Sequence, residues 1–164
     1  MTDSNHPLSR VRLTNPVHLL ALGFGTGLIR KAPGTWGSAA GAIAGVIFLH
    51  FLTPNSFLIL TALSFVLGCY ICQKTAEDMG VHDHGSIVWD EFVGMWLCLL
   101  AVPTLSWYWV AAAFAVFRFF DILKPFPIKI FDRKLESGFG IMIDDILAAV
   151  YAMIVLRLIA GVVM

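Results

Sequence analysis

Asp90 and Glu91 stand side by side where one apolar stretch begins, and Asp144 and Asp145 do the same before another. Asp121 follows Arg118 by three residues near the end of a third, Asp83 lies on the connection leading to Asp90, and Gly94, four residues past Asp90 on the same helical face, is expected to leave space beside that carboxylate. Ionisable groups at the ends of apolar segments are costly unless paired, hydrated or metal-bound, which makes such positions candidate functional sites. These six carboxylates would arrive at one level from three helices, more acid than the stability of a bundle requires. Clustered hard oxygen donors, without a cysteine partner or an H-E-x-x-H pattern, select Mg²⁺, with Mn²⁺ a substitute. His82 and His84 flank Asp83, but two imidazoles in oxygen-rich surroundings make a poor transition-metal site.

Cations accompany the acids. Arg30 and Lys31 lie between Gly23-Phe24-Gly25-Thr26-Gly27 and Pro33-Gly34-Thr35-Trp36-Gly37-Ser38. Glycine-rich backbone, two hydroxyls at Thr35 and Ser38, two cations and the start of a helix are the parts of phosphate sites. The G-x-G-x-G itself says little, because no strand precedes it. The same segment would also serve as an ordinary loop leading into a membrane, anchored by Trp36. Arg118 and Asp121 share a helical face, where they would equally form a mutual ion pair before Lys124-Pro125-Phe126-Pro127 ends the helix. Arg30, Lys31, Arg118 and Lys124 beside a carboxylate-bound metal would suit a phosphate substrate, since the metal polarises phosphoryl oxygens and the cations neutralise the remaining charge. The chain has neither a C-x5-R loop nor a D-x-D motif. Metal-activated water is then the simplest nucleophile, with an aspartyl-phosphate intermediate the other possibility.

The elements that must position these groups are read from composition. The chain is 59% hydrophobic and 13% charged over 164 residues, with a mean hydropathy of +0.82, far from a soluble domain. Apolar runs cover Gly37 to Thr53, Phe57 to Gln73, Val88 to Val102, Trp107 to Phe120 and Ile146 to Met164. A span needs roughly 20 residues, so the third and fourth runs must draw in their flanks. If all five cross a bilayer, every acid and all basic residues except Arg157 fall on one face, which the positive-inside rule makes cytoplasmic. Arg157 is expected to snorkel toward the far interface. The uncharged connections Thr53-Pro54-Asn55-Ser56 and Pro103-Thr104-Leu105-Ser106 suit tight helical hairpins. Pro16 to Gly27 is expected to be a short interfacial helix, no signal peptide is expected, and Cys69, Cys72 and Cys98 sit inside apolar runs as small core residues without disulfides. Gly37, Gly41 and Gly45 make a ridge for close helix packing within a monomer or a dimer.

Several multi-residue blocks together resemble the phosphatidylglycerophosphatase A family. They are Gly25-Thr26-Gly27 through Lys31-Ala32-Pro33-Gly34-Thr35-Trp36-Gly37-Ser38, Asp83-x-Gly85-x-Ile87-Val88-x-Asp90-Glu91-x-x-Gly94, Phe117-Arg118-x-Phe120-Asp121-x-x-Lys124-Pro125-Phe126-Pro127 and Gly140-Ile141-Met142-Ile143-Asp144-Asp145. The resemblance runs in order from about residue 20 to 160, with His84 where the family commonly has proline. It implies an all-helical fold and Mg²⁺-dependent hydrolysis of phosphatidylglycerophosphate to phosphatidylglycerol at the bacterial cytoplasmic membrane. Carried over, Asp83, Asp90, Glu91, Asp121, Asp144 and Asp145, with Arg30, Lys31, Arg118 and Lys124, would form the site.

The sequence is therefore read as an all-α polytopic membrane bundle of about five spans with a cytoplasmic-face active site. Residues 1–16 are expected to form a flexible tail and 17–164 a single helical phosphatase domain. Mg²⁺ is assigned to some of Asp90, Glu91, Asp121, Asp144 and Asp145, with a spare carboxylate of the catalytic set, which includes Asp83, as general base. Arg30, Lys31, Thr35, Ser38, Arg118 and Lys124 are assigned to substrate phosphate. The expected partners are a phospholipid and the inner membrane, with no nucleic acid. A CDP-lipid headgroup transferase would need a D-x-x-D-G-x-x-A-R signature, which the acidic blocks lack. A small carboxylate-lined ion transporter would need acids at mid-membrane depth or repeated, broken-helix halves.

Overall fold

The computed structural model describes residues 6–130, 135 and 137–163. Arg133 and Lys134, which count toward the basic face, lie outside the described residues, as do Asp3, Asp132, Glu136 and Met164. Helices are the regular elements of the described chain: α1 (Pro16–Ala21), α2 (Pro33–Phe51), α3 (Pro54–Met79), α4 (Trp89–Ala101), α5 (Trp107–Leu123) and α6 (Gly138–Val163), with 3-10 turns at Pro7–Arg10 and Gly23–Leu28. Prolines open α2 and α3, where a missing N–H costs nothing. Thr53 caps α3 by accepting from the Ser56 N–H at 3.2 Å. Lys124, at φ 44°, turns the chain out of α5 just before Pro125.

α4 forms the axis of the bundle. It packs against α2, α3, α5 and α6, and all of its residues except Leu97 and Leu100 are buried. Two indoles fix its rotation: Trp89 Nε1 donates to the Ser64 carbonyl of α3 at 3.1 Å, and Trp96 Nε1 to the Gly41 carbonyl of α2 at 2.9 Å. Trp89 also stacks on Phe92, with ring centres 5.5 Å apart. One apolar cluster gathers around Phe57, Met79, Phe92 and Trp96, and a second around Met95, Phe117, Ala148 and Leu156. Buried alanines at 148, 149 and 152 let α6 approach α4 closely.

The outer surface is apolar as well, with Ile43, Ile59, Val66, Ile122, Leu158 and Val162 all exposed. An outward hydrophobic coat of this extent suits lipid rather than water. α2, α3 and α6, with 19, 26 and 26 residues, are long and apolar enough to cross a membrane. α4, with 13 residues, is shorter than the five-span reading expects, whereas α5, with 17, extends past its apolar run to Leu123 and reaches the short end of the range of about 17 to 25 residues. α4 is about 20 Å long and α5 about 26 Å, because turn-forming residues such as Pro103 and Pro125 bound them.

Three local expectations are corrected. Pro16 to Gly27 is not one helix: α1 ends at Ala21, and positive φ at Gly23, Phe24 and Gly25 (55°, 56° and 94°) breaks the chain there. The last helix begins at Gly138 instead of Ile146. Its first turn is held by Ser137, whose hydroxyl accepts from Gly140 N–H at 3.2 Å, and by Gln73 of α3, which accepts from Gly138 N–H. Nor does Gly94 leave open space beside Asp90, since a Cβ there would meet the Phe117 ring at 2.7 Å and the Asp145 carbonyl at 3.2 Å. The glycine lets α4 sit against α5 and α6. Within residues 6–16, Leu8 and Val11 pack against the first cluster, and His18 joins this segment to α3 by accepting from the Arg12 N–H (3.0 Å) and pairing with Asp78 (2.9 Å).

Candidate active site

The first turn of α4 presents Asp90 and Glu91, and the second turn of α6 presents Asp145. One carboxylate oxygen from each lies within 4.8 Å of the other two. All three side chains are buried, and Asp90 Oδ1, Glu91 Oε2 and Asp145 Oδ2 have no hydrogen-bond partner among the described residues. Asp90 is further repelled by Asp144 and Asp83, and Asp145 by Asp121 and Asp144. Leaving a buried acceptor unmade costs about 1–3 kcal/mol, and more for a charged group. Three buried carboxylates this close, each with an unpartnered oxygen, fit a hard divalent cation, which would relieve their mutual repulsion. Among the described residues this is the one group of His, Cys, Asp and Glu side chains close enough to share an ion.

A ring of charge surrounds the trio. Arg118 on α5 pairs with Asp121, approaches Glu91 Oε1 at 4.0 Å, and donates to Thr35 Oγ1 of α2 at 3.4 Å. Its Nε is buried without a partner among the described residues. Lys124 Nζ contacts Asp144 Oδ2 at 2.7 Å, and Asp144 Oδ1 accepts from the Asp145 N–H at 3.1 Å. Asp121 and Asp144, expected as metal ligands, are thus engaged by the neighbouring cations. An unassigned residue completes the corner: a Cβ on Gly34 would lie 2.4 Å from Glu91 Oε1 and 3.2 Å from Arg118 Nη1. Its place between Pro33 and Thr35 at the start of α2 was the only hint in the sequence.

The other expected residues stand apart. Asp83 is exposed on the connection between α3 and α4. Arg30 and Lys31 are exposed before α2, and neither is ion-paired among the described residues. Ser38 is buried, and its hydroxyl donates to the Gly34 carbonyl one turn back at 2.8 Å. The three cysteines are free.

The sequence profile of the family Phosphatidylglycerophosphatase A matches residues 19–160. A Haemophilus influenzae protein named phosphatidylglycerophosphatase A is 70% identical over 155 residues, 94% of this chain and 94% of that one. One of the same name from Escherichia coli is 54% identical over 142 residues, 87% of this chain and 82% of that one. A Bacteroides thetaiotaomicron protein, provisionally named a phosphatidylinositol-3-phosphatase, is 41% identical over 148 residues, 84% of this chain and 89% of that one. No solved structure matches the chain. The matched profile contains every carboxylate and cation placed around the trio, and on that profile and these relatives the chain belongs to the phosphatidylglycerophosphatase A family.

Proposed function

We infer that this chain is a Mg²⁺-dependent phosphatidylglycerophosphatase, which hydrolyses the terminal phosphate of phosphatidylglycerophosphate and leaves phosphatidylglycerol. The observation that carries the reading is the trio Asp90, Glu91 and Asp145, three buried carboxylates gathered beside a guanidinium, each with one unpartnered oxygen. The names of the two more similar relatives support the substrate.

Asp90, Glu91 and Asp145 would hold the ion, and when bound it supplies positive charge that polarises phosphoryl oxygens and acidifies water. Arg118 offers its fork to the phosphate and is kept in place by Asp121 and Thr35. Lys124 holds Asp144, whose second oxygen fixes the backbone beside Asp145. A spare carboxylate of the cluster takes the proton of the attacking water. As the P–O ester bond breaks, the glycerol oxygen leaves and is protonated. Arg30 and Lys31, exposed at the rim, raise the local concentration of an anionic headgroup.

The site faces the cytoplasm at the bacterial inner membrane, with α4 and α5 completing five spans by drawing in their flanking residues. The transferase reading finds no signature in the acidic blocks. The transporter reading fits poorly with acids gathered in the first turn of α4 and the second turn of α6. The direct test is phosphate release from phosphatidylglycerophosphate in detergent micelles, with Mg²⁺ and then with EDTA, using phosphatidic acid for comparison. Fast release that EDTA stops and added Mg²⁺ restores is the expected result. Release that EDTA leaves untouched would remove the metal from this reading, and no release would overturn the activity.

A further inference from the structure

The hydrogen bond from Arg118 to Thr35 ties α5 to α2 at the level of the trio. Beyond that tie the two helices leave a groove of about 590 Å³ on the outer surface, with apolar walls that include Ala39, Ile43 and Ile47 of α2 and Val110, Ala111 and Phe114 of α5. Ala39 follows Thr35 by four residues and Phe114 precedes Arg118 by four, so on each helix the near end of the groove is one turn, about 5.4 Å, from the tie. From Ala39 to Ile47 it extends along α2 for about 12 Å. Half of a ~30 Å hydrocarbon core is about 15 Å. A furrow therefore runs from the guanidinium down most of one leaflet, and alanines at 39 and 111 help make the hollow.

We propose that the groove between α2 and α5 seats one acyl chain of the substrate phospholipid while its phosphate lies at Arg118. The assignment rests on the phosphatase reading. A lipid held by its terminal phosphate at the trio must lead its glycerol backbone and chains away through some path, and this groove is an apolar path that begins one turn from the cation. A second apolar groove, of about 460 Å³, has walls on α3, α4 and α6 that include Ala62, but none of its lining comes from α2 or α5. It does not lead from Arg118 and serves as the control. The substrate then enters sideways from the bilayer, and the walls contribute to chain selection.

The test compares kcat/KM for dioleoyl and dihexanoyl phosphatidylglycerophosphate in the same mixed micelles. The variants are Ala111→Phe and Ile43→Trp, one on each wall, and Ala62→Phe in the control groove. Ala111 and Ile43 are exposed, so the larger side chains enter the groove rather than the core. The long-chain to short-chain ratio is expected to fall about tenfold in both groove variants and to stay at the wild-type value in Ala62→Phe. If one groove variant fails to fold, it loses both substrates and the other decides. An unchanged ratio in the groove variants, or an equal fall in Ala62→Phe, overturns the proposal while leaving the phosphatase reading intact. A wild-type protein that cleaves neither ester overturns both.

Discussion

Asp90, Glu91 and Asp145 carry the strongest expectations, because each keeps a buried oxygen with no hydrogen-bond partner among the described residues. Asp90→Asn and Asp145→Asn each remove charge from the trio at nearly constant volume. Turnover is expected to fall by at least about 10²–10³-fold, while gel filtration and circular dichroism in detergent show an intact fold; near-normal turnover in both would remove them from the site. Gly34→Ala tests the corner from the other side. Its methyl would press on Glu91 and Arg118, so activity should drop sharply while the unfolding temperature changes little. At this scale the sequence was readily legible. Acids in so apolar a chain stand out, and family-like blocks ordered them. What it could not show was which acids would be neutralised by a neighbour. The Arg118–Asp121 pair was one of two readings that the i, i+3 spacing offered, while the pairing of Asp144 with Lys124, 20 residues away, comes only from the fold.

Helices succeed or fail by how closely they approach. α4 meets α5 and α6 at Gly94, where a methyl would sit 2.7 Å from the Phe117 ring. Gly94→Ala is therefore expected to lower stability by about 1–3 kcal/mol, the usual cost of overpacking, and to lower activity with it, because the same contact sets α4 against Asp145. A shift in the midpoint of detergent or thermal unfolding measures the first effect; an unchanged midpoint would show that the helices can part there freely. The spacing of Asp90 and Gly94 on one face was visible in the sequence, but it was read as room beside the carboxylate. Whether a missing side chain means space or contact depends on what faces it. The start of α6 was hidden for a similar reason. Gly138 and Gly140 argue against helix by propensity, and the Gln73 side chain that secures the first turn comes from α3, 65 residues earlier.

For the molecule as a whole, apolar residues face both inward and outward, and every charged residue except Arg157 falls on the tail, connections and helix ends that the sequence assigns to one face. That division follows from composition and run length, so the all-helical membrane architecture was legible early; the lengths of α4 and α5 were not, since α4 stops just inside its apolar run and α5 continues three residues past the end of its own. The five-span arrangement has a direct check. With Cys69, Cys72 and Cys98 replaced by alanine, a cysteine placed at Asn55 or Leu105 should react with a membrane-impermeant maleimide on intact spheroplasts, and one placed at His82 should react only after lysis. The opposite pattern would invert the orientation, and labelling of all three from outside would remove it.

The trio is divided between α4 and α6, with the whole of α5 between them in the chain. During synthesis two of its oxygens therefore wait, already threaded among helices, for a third that arrives with the sixth. A chain interrupted before Asp145 has most of the helices but lacks the third carboxylate of the proposed metal site. On that proposal partial products are silent instead of leaky, and a nascent chain begins removing lipid phosphates only once the bundle that confines the reaction has closed.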